Sequence, residues 1–204
     1  MSTDPAAPRR PESTPTPRIW PYDTIYPQDI ADFRRLTRPH PRATNTQPRP
    51  ERVQMPLTIA AESPLTPDGR MLIDGSEQAL RSVYTADECF TFTAEELDSP
   101  EITFLVARQD GTALGCVALV NCSEYGEVKR LFVTPQARGT GAARALMAAL
   151  ETHAADMHLP EVLLETGDKL KAAVGLYTSL GYAVRGRFGD YQDHPASLFM
   201  GKRL

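Results

Sequence analysis

The most informative segment of this 204-residue chain is Val133-Thr134-Pro135-Gln136-Ala137-Arg138-Gly139-Thr140-Gly141-Ala142. A strand pattern ends at Pro135, a turn with two glycines follows, and the strongest helical pattern of the chain begins directly after the turn. One face of this helix, at spacings of three and four, carries Ala142, Leu146, Ala149, Leu150, His153 and Met157. The first N–H groups of a helix have no partner within it and lie at the positive end of its dipole, so the turn is a candidate phosphate site.

Two well-known phosphate motifs do not fit this turn. No Lys-Ser or Lys-Thr pair follows the glycines, which excludes a P-loop. The third glycine of the dinucleotide-binding fingerprint would fall at Arg144. Glycines at 139 and 141 would let a ligand approach the backbone with no Cβ in the way, but they also suit a tight turn with close helix packing. The turn alone therefore leaves both interpretations open.

The patterns around the turn predict an α/β fold with a mixed α+β sheet. Alternating or continuous apolar runs predict strands over 102–107, 113–120, 127–133 and 162–164. Asp110-Gly111 predicts a hairpin turn between the first two of these strands. A second helix is predicted over 170–180, with Gly181 just past its end. The order ββαβαββ implies antiparallel hairpins on both sides of one βαβ crossover, with helices covering the sheet.

The flanks of this core carry weaker signals. Residues 75–84 predict a helix with Ser76 as its N-cap, and Thr93-Ala94-Glu95-Glu96 resembles a capping box. Leu57–Ala60 predicts a short strand, and the closing strands are predicted over 182–185 and 197–200.

The composition of the chain changes at Met55. Residues 1–54 hold 11 of the 18 prolines, no glycine and no lysine. Nine arginines against six acidic residues give this part about +3, whereas 13 basic and 20 acidic residues give the remainder about −7. We interpret 1–54 as a Pro/Arg-rich, disordered leader and 55–204 as the folded domain. Translation that starts at Met55 is an alternative explanation of the same boundary.

The global numbers exclude several classes of protein. A net charge of −4 excludes a polycationic nucleic-acid binder. The sequence contains no run of about 18 apolar residues, so no membrane-spanning helix is predicted. It also contains no apolar core of the length that a secretory signal needs. Cys89, Cys116 and Cys122 form no CxxC pair, so we expect free thiols in a reducing, cytoplasmic location. The four histidines show no metal-ligand spacing, and no metal is expected.

Three motifs together resemble one family. They are Gln136-x-x-Gly139-x-Gly141, then Leu176-Tyr177-x-x-x-Gly181-Tyr182, and the ending Phe188-Gly189-Asp190-Tyr191 followed by Ser197-Leu198-Phe199-Met200. Over residues 57–204 the chain resembles the GNAT (Gcn5-related) N-acetyltransferases of the small, single-domain bacterial type. The resemblance implies the acyl-CoA N-acyltransferase fold, in which a splayed central mixed sheet is flanked by helices.

The resemblance also implies how acetyl-CoA would be bound. The pyrophosphate would rest on the backbone N–H groups of Arg138, Gly139, Thr140, Gly141 and Ala142, with Gln136 opening the loop. The pantetheine arm would lie along the fourth strand near Phe132 and Val133, like an added strand. An N–H at about Leu131 would polarise the thioester oxygen.

The catalytic residues implied by the resemblance are a base and an acid. Glu127 matches the family's glutamate on the fourth strand, where its alternative is a solvent-facing residue paired with Lys129. Glu165, at the end of the next strand, is the alternative base. Tyr177 matches the general-acid tyrosine, and its alternative is a core tyrosine whose hydroxyl finds a partner.

The sequence departs from the family at Leu170, where many members carry an asparagine. The corresponding cofactor hydrogen bond is either missing or supplied by Thr166 or Lys169. On the acceptor side, Asp190, Tyr191 and Asp193 are candidate pocket residues, with Arg130 and Arg187 as counter-charges for an amine that carries a carboxylate. Surface charges on a C-terminal loop are the alternative.

The function implied is acetyl-CoA-dependent acetyl transfer to the amine of a small molecule or amino acid, by direct attack on the thioester. A protein lysine or N-terminal acetyltransferase and a non-catalytic acyl-CoA-binding sensor are the alternatives. The expected partner is a small amine, with neither nucleic acid nor membrane. Homodimers are common in the family, but no residue of this chain indicates one.

Overall fold

A computed structural model describes residues 56–84, 92–192, 194–195 and 197–204. In this part of the chain a seven-stranded sheet has the order β1-β2-β3-β4-β5-β7-β6. Its strands are β1 (Thr58–Ala61), β2 (Ile102–Gln109), β3 (Thr112–Asn121), β4 (Gly126–Val133), β5 (Glu161–Gly167), β6 (Ala183–Val184) and β7 (Ser197–Arg203). Neighbouring strands are antiparallel except β4 and β5, which are parallel. The predicted mixed sheet with one parallel crossover is confirmed.

Helices cover both faces of the sheet. They are α1 (Pro67–Arg81), α2 (Ala94–Leu97), α3 (Ala142–Asp156) and α4 (Lys171–Ser179). On the face of α3 and α4, Leu146, Leu150 and Tyr177 belong to the main core. On the other face, Leu72 of α1 and Leu97 of α2 belong to a second core. The sheet contributes Phe104, Val106, Ala118 and Phe132 to it. None of the helices in the described part of the chain is both long enough and apolar enough to cross a membrane.

Helix α1 starts eight residues earlier than the sequence analysis predicts. The side chain of Thr66, not Ser76, caps it by accepting a hydrogen bond from the N–H of Gly69 at 3.0 Å, and Pro67 occupies the first turn. Ser76 is buried inside the helix. Gly69 obscures the helical pattern because glycine is a poor helix former, but a Cβ there would lie 2.6 Å from the carbonyl oxygen of Pro64. The tight entry to the helix therefore requires glycine.

The predicted local signals elsewhere are confirmed. Thr93 and Glu96 form the capping box, with the N–H of Thr93 donating to the Glu96 carboxylate at 2.8 Å and the N–H of Glu96 donating to Thr93 Oγ1 at 3.2 Å. Asp110 and Gly111 both have positive φ, 51° and 77°, as a two-residue hairpin turn of type I′ requires. Gly181, with φ of 91°, ends α4 in the left-handed conformation.

Strands β4 and β5 separate after a very short ladder. Their register joins only Gly126 to Val162 and Glu127 to Leu163. In β4 a bulge follows, because two residues lie opposite the single residue Val117 of β3, and Arg130 has φ of 55°. In the described part of the chain, the edge of β4 that faces β5 thus has no strand partner beyond Glu127. This opening between the two strands leads toward the start of α3.

Candidate active site

The turn before α3 is open and rich in donors. A 3₁₀ turn over Pro135–Ala137 precedes it, and Gly139 and Gly141 have φ of 77° and 91°. A Cβ built on either glycine meets no atom within 4 Å, so these positions need glycine for backbone conformation and not for lack of space. Within the described residues, the N–H groups of both glycines have no backbone acceptor, and no side chain caps α3. Of the five amides predicted to hold the phosphate groups, those of Arg138 and Thr140 donate within the turn, to the carbonyl oxygens of Pro135 at 3.4 Å and Ala137 at 3.3 Å. The amides of Gly139 and Gly141 are therefore the donors best placed for a phosphate group.

The side chains around this turn leave the binding of an anion mainly to the backbone. Gln136 and Arg138 are exposed, and Thr140 donates its hydroxyl to the carbonyl of Ala137 at 2.7 Å. Ala142, the first residue of α3, is buried against the main core. Arg138 adds a positive charge at the exposed side of the turn, and the backbone amides supply the directed donors for an anion.

The end of β4 lies next to the turn. Phe132 pairs with Cys116 and Val133 with Gly115 in β3, so one edge of the strand is already used. The side chains of Leu131, Phe132 and Val133 are buried. A Cβ on Gly115 would lie 2.5 Å from the carbonyl oxygen of Phe132, which shows how closely these strands are held. The opposite edge, facing the opening toward β5, is the one that can accept an added strand-like ligand.

Tyr177 lies inside the main core. Its side chain has 0% exposure, and its ring centroid is 5.7 Å from that of Tyr182. Tyr177 lies on α4, which covers the side of the sheet where β4 and β5 diverge. The burial also agrees with the alternative of a core tyrosine, so geometry alone leaves both roles in place.

Glu127 is part of a buried polar network. Its Oε1 accepts a hydrogen bond from the Tyr191 hydroxyl at 2.5 Å and lies 3.0 Å from Nζ of Lys129. Lys129 also donates to the Tyr191 hydroxyl. The side chains of Glu127 and Lys129 are only 1% exposed. The pairing with Lys129 agrees with the alternative interpretation of Glu127, but the residue is interior and not solvent-facing.

The second carboxylate oxygen of Glu127, Oε2, has weaker contacts than Oε1. Its Oε2 has Sγ of Cys122 at 4.0 Å, a distance that makes only a weak contact. An aromatic cluster made of Phe188, Tyr191 and Phe199 packs beside the network, with ring centroids 5.1 to 5.7 Å apart. The carboxylate is thus fixed through one oxygen, while the other remains available for a further polar contact.

Glu165 lies on the same face of the sheet as Glu127 but on the diverging strand. It is buried and pairs with Phe199 of β7, two residues beyond Leu163, which lies opposite Glu127. Alternation along β5 places Leu163 and Glu165 on one face. Both candidate bases therefore lie on the face of the sheet opposite to α3 and α4, because their strand neighbours Val128 and Leu164 belong to the main core.

The predicted acceptor residues that the structure describes differ in burial and in their contacts. Arg130 is buried and donates to the carbonyl of Phe92 and, at 3.4 Å, to the hydroxyl of Ser76. Arg187 donates to the carbonyl of Tyr191 at 2.7 Å. Asp190 is exposed. Tyr191 reaches Glu127, a contact that no sequence spacing indicates because the residues are 64 positions apart. Asp193 lies outside the described residues.

The position of the family asparagine is apolar here. Leu170 is buried in the main core, and its Cδ1 lies 3.6 Å from the point where a Cβ of Gly167 would be. Lys169 is exposed. Thr166 is completely buried, and within the described residues its Oγ1 has no hydrogen-bond partner.

The described cysteines are poor nucleophiles. Burial raises the pKa of the Cys116 thiol to about 12, and burial together with the nearby Glu127 carboxylate raises that of Cys122 to about 11. Both thiols are free. The unreactive environment agrees with the interpretation of Cys116 as a core residue. Cys89 lies outside the described residues.

Solved structures define the class of protein to which this fold belongs. A solved protein of Klebsiella pneumoniae, described as an acyl-CoA N-acyltransferase, is 33% identical to this chain in sequence. The two structures have a TM-score of 0.62 over 72% of this chain and 97% of that chain. The PaiA N-acetyltransferase of Thermoplasma acidophilum, solved with coenzyme A, has a TM-score of 0.61 over 74% of this chain and 100% of that chain, at 17% identity. The fold is that of the acyl-CoA N-acyltransferases.

Sequence comparisons narrow the class to a family. The profile of the acetyltransferase (GNAT) family matches residues 70–182. A protein of Azospirillum brasilense named IAA acetyltransferase is 43% identical over 150 residues, which are 72% of this chain and 98% of that protein. The chain belongs to the GNAT family and is an acyltransferase, as the motifs predict.

Proposed function

We propose that this protein transfers the acetyl group of acetyl-CoA to the amine of a small molecule or an amino acid. The observation that carries the proposal is the opening between β4 and β5, which leads to a glycine turn whose amides have no backbone acceptor within the described residues. In a GNAT chain, an opening of this kind next to amide donors supports the binding of an acyl-CoA. The similarity to a protein named IAA acetyltransferase supports acetyl as the group transferred.

The residues of this opening fit acetyl-CoA. The amides of Gly139 and Gly141 suit the pyrophosphate. The edge of β4 beyond Glu127, which pairs with no strand in the described part of the chain, suits the amide-containing arm. An N–H near Leu131 would donate to the thioester oxygen. When bound, acetyl-CoA supplies an acyl group that is activated as a thioester. The chain holds this group beside Glu127 and Tyr177 and excludes bulk water from it.

Glu127 is proposed as the base that takes a proton from the acceptor ammonium, directly or through water. An amine attacks only in its neutral form, so the proton has to leave before the new bond forms. Tyr191 and Lys129 hold Oε1, and this arrangement turns Oε2 into the oxygen that can receive the proton. Glu165 stays the alternative base, since it is buried on the same face.

Tyr177 is proposed as the acid that protonates the departing thiolate. A thiolate released into an interior site is not solvated by bulk water, so a nearby hydroxyl donor favours its departure. The complete burial of Tyr177 on the helix that covers the opening supports this role.

A small acceptor is favoured over a protein segment. Glu127 is enclosed by Tyr191 and by the aromatic cluster, so a group that reaches its Oε2 has to be compact. A folded lysine-bearing segment would need a wider approach. A panel of acceptors that includes peptides tests this choice directly.

The test is release of the CoA thiol by the purified protein over a panel of small amines, amino acids, lysine peptides and peptides with free N-termini. Saturable acetyl-CoA binding with amine-dependent thiol release on small amines is the expected result. Turnover on peptides only would make the protein a peptide acetyltransferase. Tight acetyl-CoA binding with no turnover on any amine would instead indicate a non-catalytic sensor, and absence of binding would contradict the proposal as a whole.

A further inference from the structure

We propose that the hydroxyl of Thr166 binds the pantetheine arm of acyl-CoA through a hydrogen bond to one of its amide groups. The inference rests on the proposed function and extends it to a residue outside the glycine turn and β4. Its starting point is an anomaly of the structure, since Thr166 has 0% exposure and its Oγ1 has no hydrogen-bond partner within the described residues.

A buried hydroxyl without a partner destabilises a protein, because the group loses its hydrogen bonds to water and gains none in return. Valine has the same shape as threonine and would fill this position without that cost. A threonine whose partner is supplied by a ligand removes the difficulty, since the hydroxyl is then satisfied in the bound state.

The position of Thr166 in the strand directs it toward the opening. Regular pairing with β7, with no register shift, places Thr166 on the same face as Val162 and Leu164, which belong to the main core under α3 and α4. Thr166 lies three residues beyond Leu163, where the ladder with β4 has already ended. The hydroxyl is therefore at the diverging end of β5, on the side of the helix that starts at the glycine turn.

Among Thr166, Lys169 and Leu170, which the resemblance connects with the missing cofactor contact, Thr166 is the one with an interior polar group. The next residue, Gly167, is covered by Leu170, whose Cδ1 lies 3.6 Å from the position of a Cβ, and by the phenol of Tyr84. Leu170 offers no hydrogen bond, and Lys169 is exposed. Of the two residues that could replace the missing asparagine, the structure favours Thr166, because its hydroxyl is interior. A hydroxyl both donates and accepts, so either end of an amide suits it.

The experiment measures CoA binding by calorimetry, without turnover. Thr166→Val is expected to raise the Kd for CoA roughly three- to tenfold, the range for one neutral hydrogen bond. Without CoA its Tm is expected to equal or exceed that of the wild type, because a buried partnerless hydroxyl has been removed. Thr166→Ser retains the hydroxyl and should bind nearly as the wild type does. Binding of adenosine 3′,5′-bisphosphate, which lacks the arm, should be unchanged in Thr166→Val.

Thr103→Val, in the half-buried part of β2, is the matched control and should alter neither Kd nor Tm substantially. Wild-type CoA affinity in Thr166→Val would overturn the inference. A lower Tm of Thr166→Val without CoA would also overturn it, because the hydroxyl would then have a structural partner. Failure of the wild type to bind CoA would contradict the proposed function itself, so the two failures are distinguishable.

Discussion

The proposed acid role of Tyr177 can be tested by removing its hydroxyl oxygen. In Tyr177→Phe the ring still packs against Tyr182, so the core is retained while the proton donor is lost. We expect kcat to fall roughly 100-fold, within the range for acid–base assistance, with little change in the KM for acetyl-CoA. Steady-state kinetics of thiol release measures both. Tyr182→Phe is the matched control, since it is also a buried tyrosine, and a wild-type kcat in Tyr177→Phe would leave Tyr177 as a core residue.

The network around Glu127 gives a second test. Tyr191→Phe removes the hydroxyl that donates to Glu127 Oε1 and keeps the ring in its cluster with Phe188 and Phe199. Among the described residues, the carboxylate then keeps Lys129 at Oε1 and the weak contact of Cys122 at Oε2, so it is held less firmly. We therefore expect kcat to fall about tenfold while the Kd for CoA stays within about twofold. Kinetics and calorimetry on the same preparation separate the two effects.

Tyr125→Phe provides the comparison for the Tyr191 variant, because Tyr125 also touches the aromatic cluster but is not hydrogen-bonded to Glu127. Equal losses in both variants would mean that the cluster as a whole matters and not the hydroxyl on Glu127. An unchanged kcat in Tyr191→Phe would remove Tyr191 from the positioning of the base.

For single residues, the sequence predicts some members of the site but not their side-chain partners. Tyr177 is predicted as a site residue because it lies within a recurring motif, and Glu127 because it matches the family's glutamate on the fourth strand. The contact between Glu127 and Tyr191 is not, since it joins β4 to a loop 64 residues later. The burial of Glu127 is also hidden in the sequence, because a charged residue in an alternating strand is ordinarily exposed. The side-chain partners of a site depend on packing between distant segments, which periodicity does not encode.

The glycine turn before α3 gives the prediction for a structural element. Gly139→Glu places a carboxylate where the amides and the helix dipole favour an anion, so repulsion should abolish CoA binding. Calorimetric titration with CoA measures the loss. Gly111→Glu is a close control, because Gly111 has the same φ of 77° and equally open surroundings but lies in the β2–β3 hairpin.

The control separates charge at the binding turn from backbone strain. Both substitutions force a non-glycine residue into the left-handed region, so both should lower stability to a similar extent. Only Gly139→Glu should lose CoA. Retained CoA affinity in Gly139→Glu, or an equal loss in Gly111→Glu, would contradict the assignment of the turn.

Elements with strong local signals are the ones that the sequence predicts correctly. The hairpin at Asp110-Gly111, the capping box at Thr93 and the helix after Gly141 each depend on neighbouring residues alone. The start of α1 is missed, because Gly69 and Gly75 interrupt its pattern and the need for Gly69 arises from contact with Pro64. Tertiary contact in that case outweighs the local propensity.

The opening between β4 and β5 is a property of the whole molecule. It arises because the β4 bulge and the short parallel ladder act together, and because α1 and α3 support the two faces separately. Arg130 takes a positive φ at the bulge, which no arginine favours by itself. The strand run 126–133 looks continuous in the sequence, so the opening is implied only by the resemblance to the family and not by the pattern of residues.

The division of the chain at Met55 leads to the last prediction. Every described strand and helix lies between Thr58 and Arg203, and the proposed site lies between Glu127 and Tyr191. A chain that begins at Met55 should therefore fold with an unchanged Tm and keep full kcat/KM for acetyl-CoA and acceptor. Circular dichroism and thiol release, measured side by side on the full and shortened chains, test this. A shortened chain that fails to fold would show that residues 1–54 are structural, whereas normal folding with a raised KM for the acceptor would place part of the acceptor site in the basic segment.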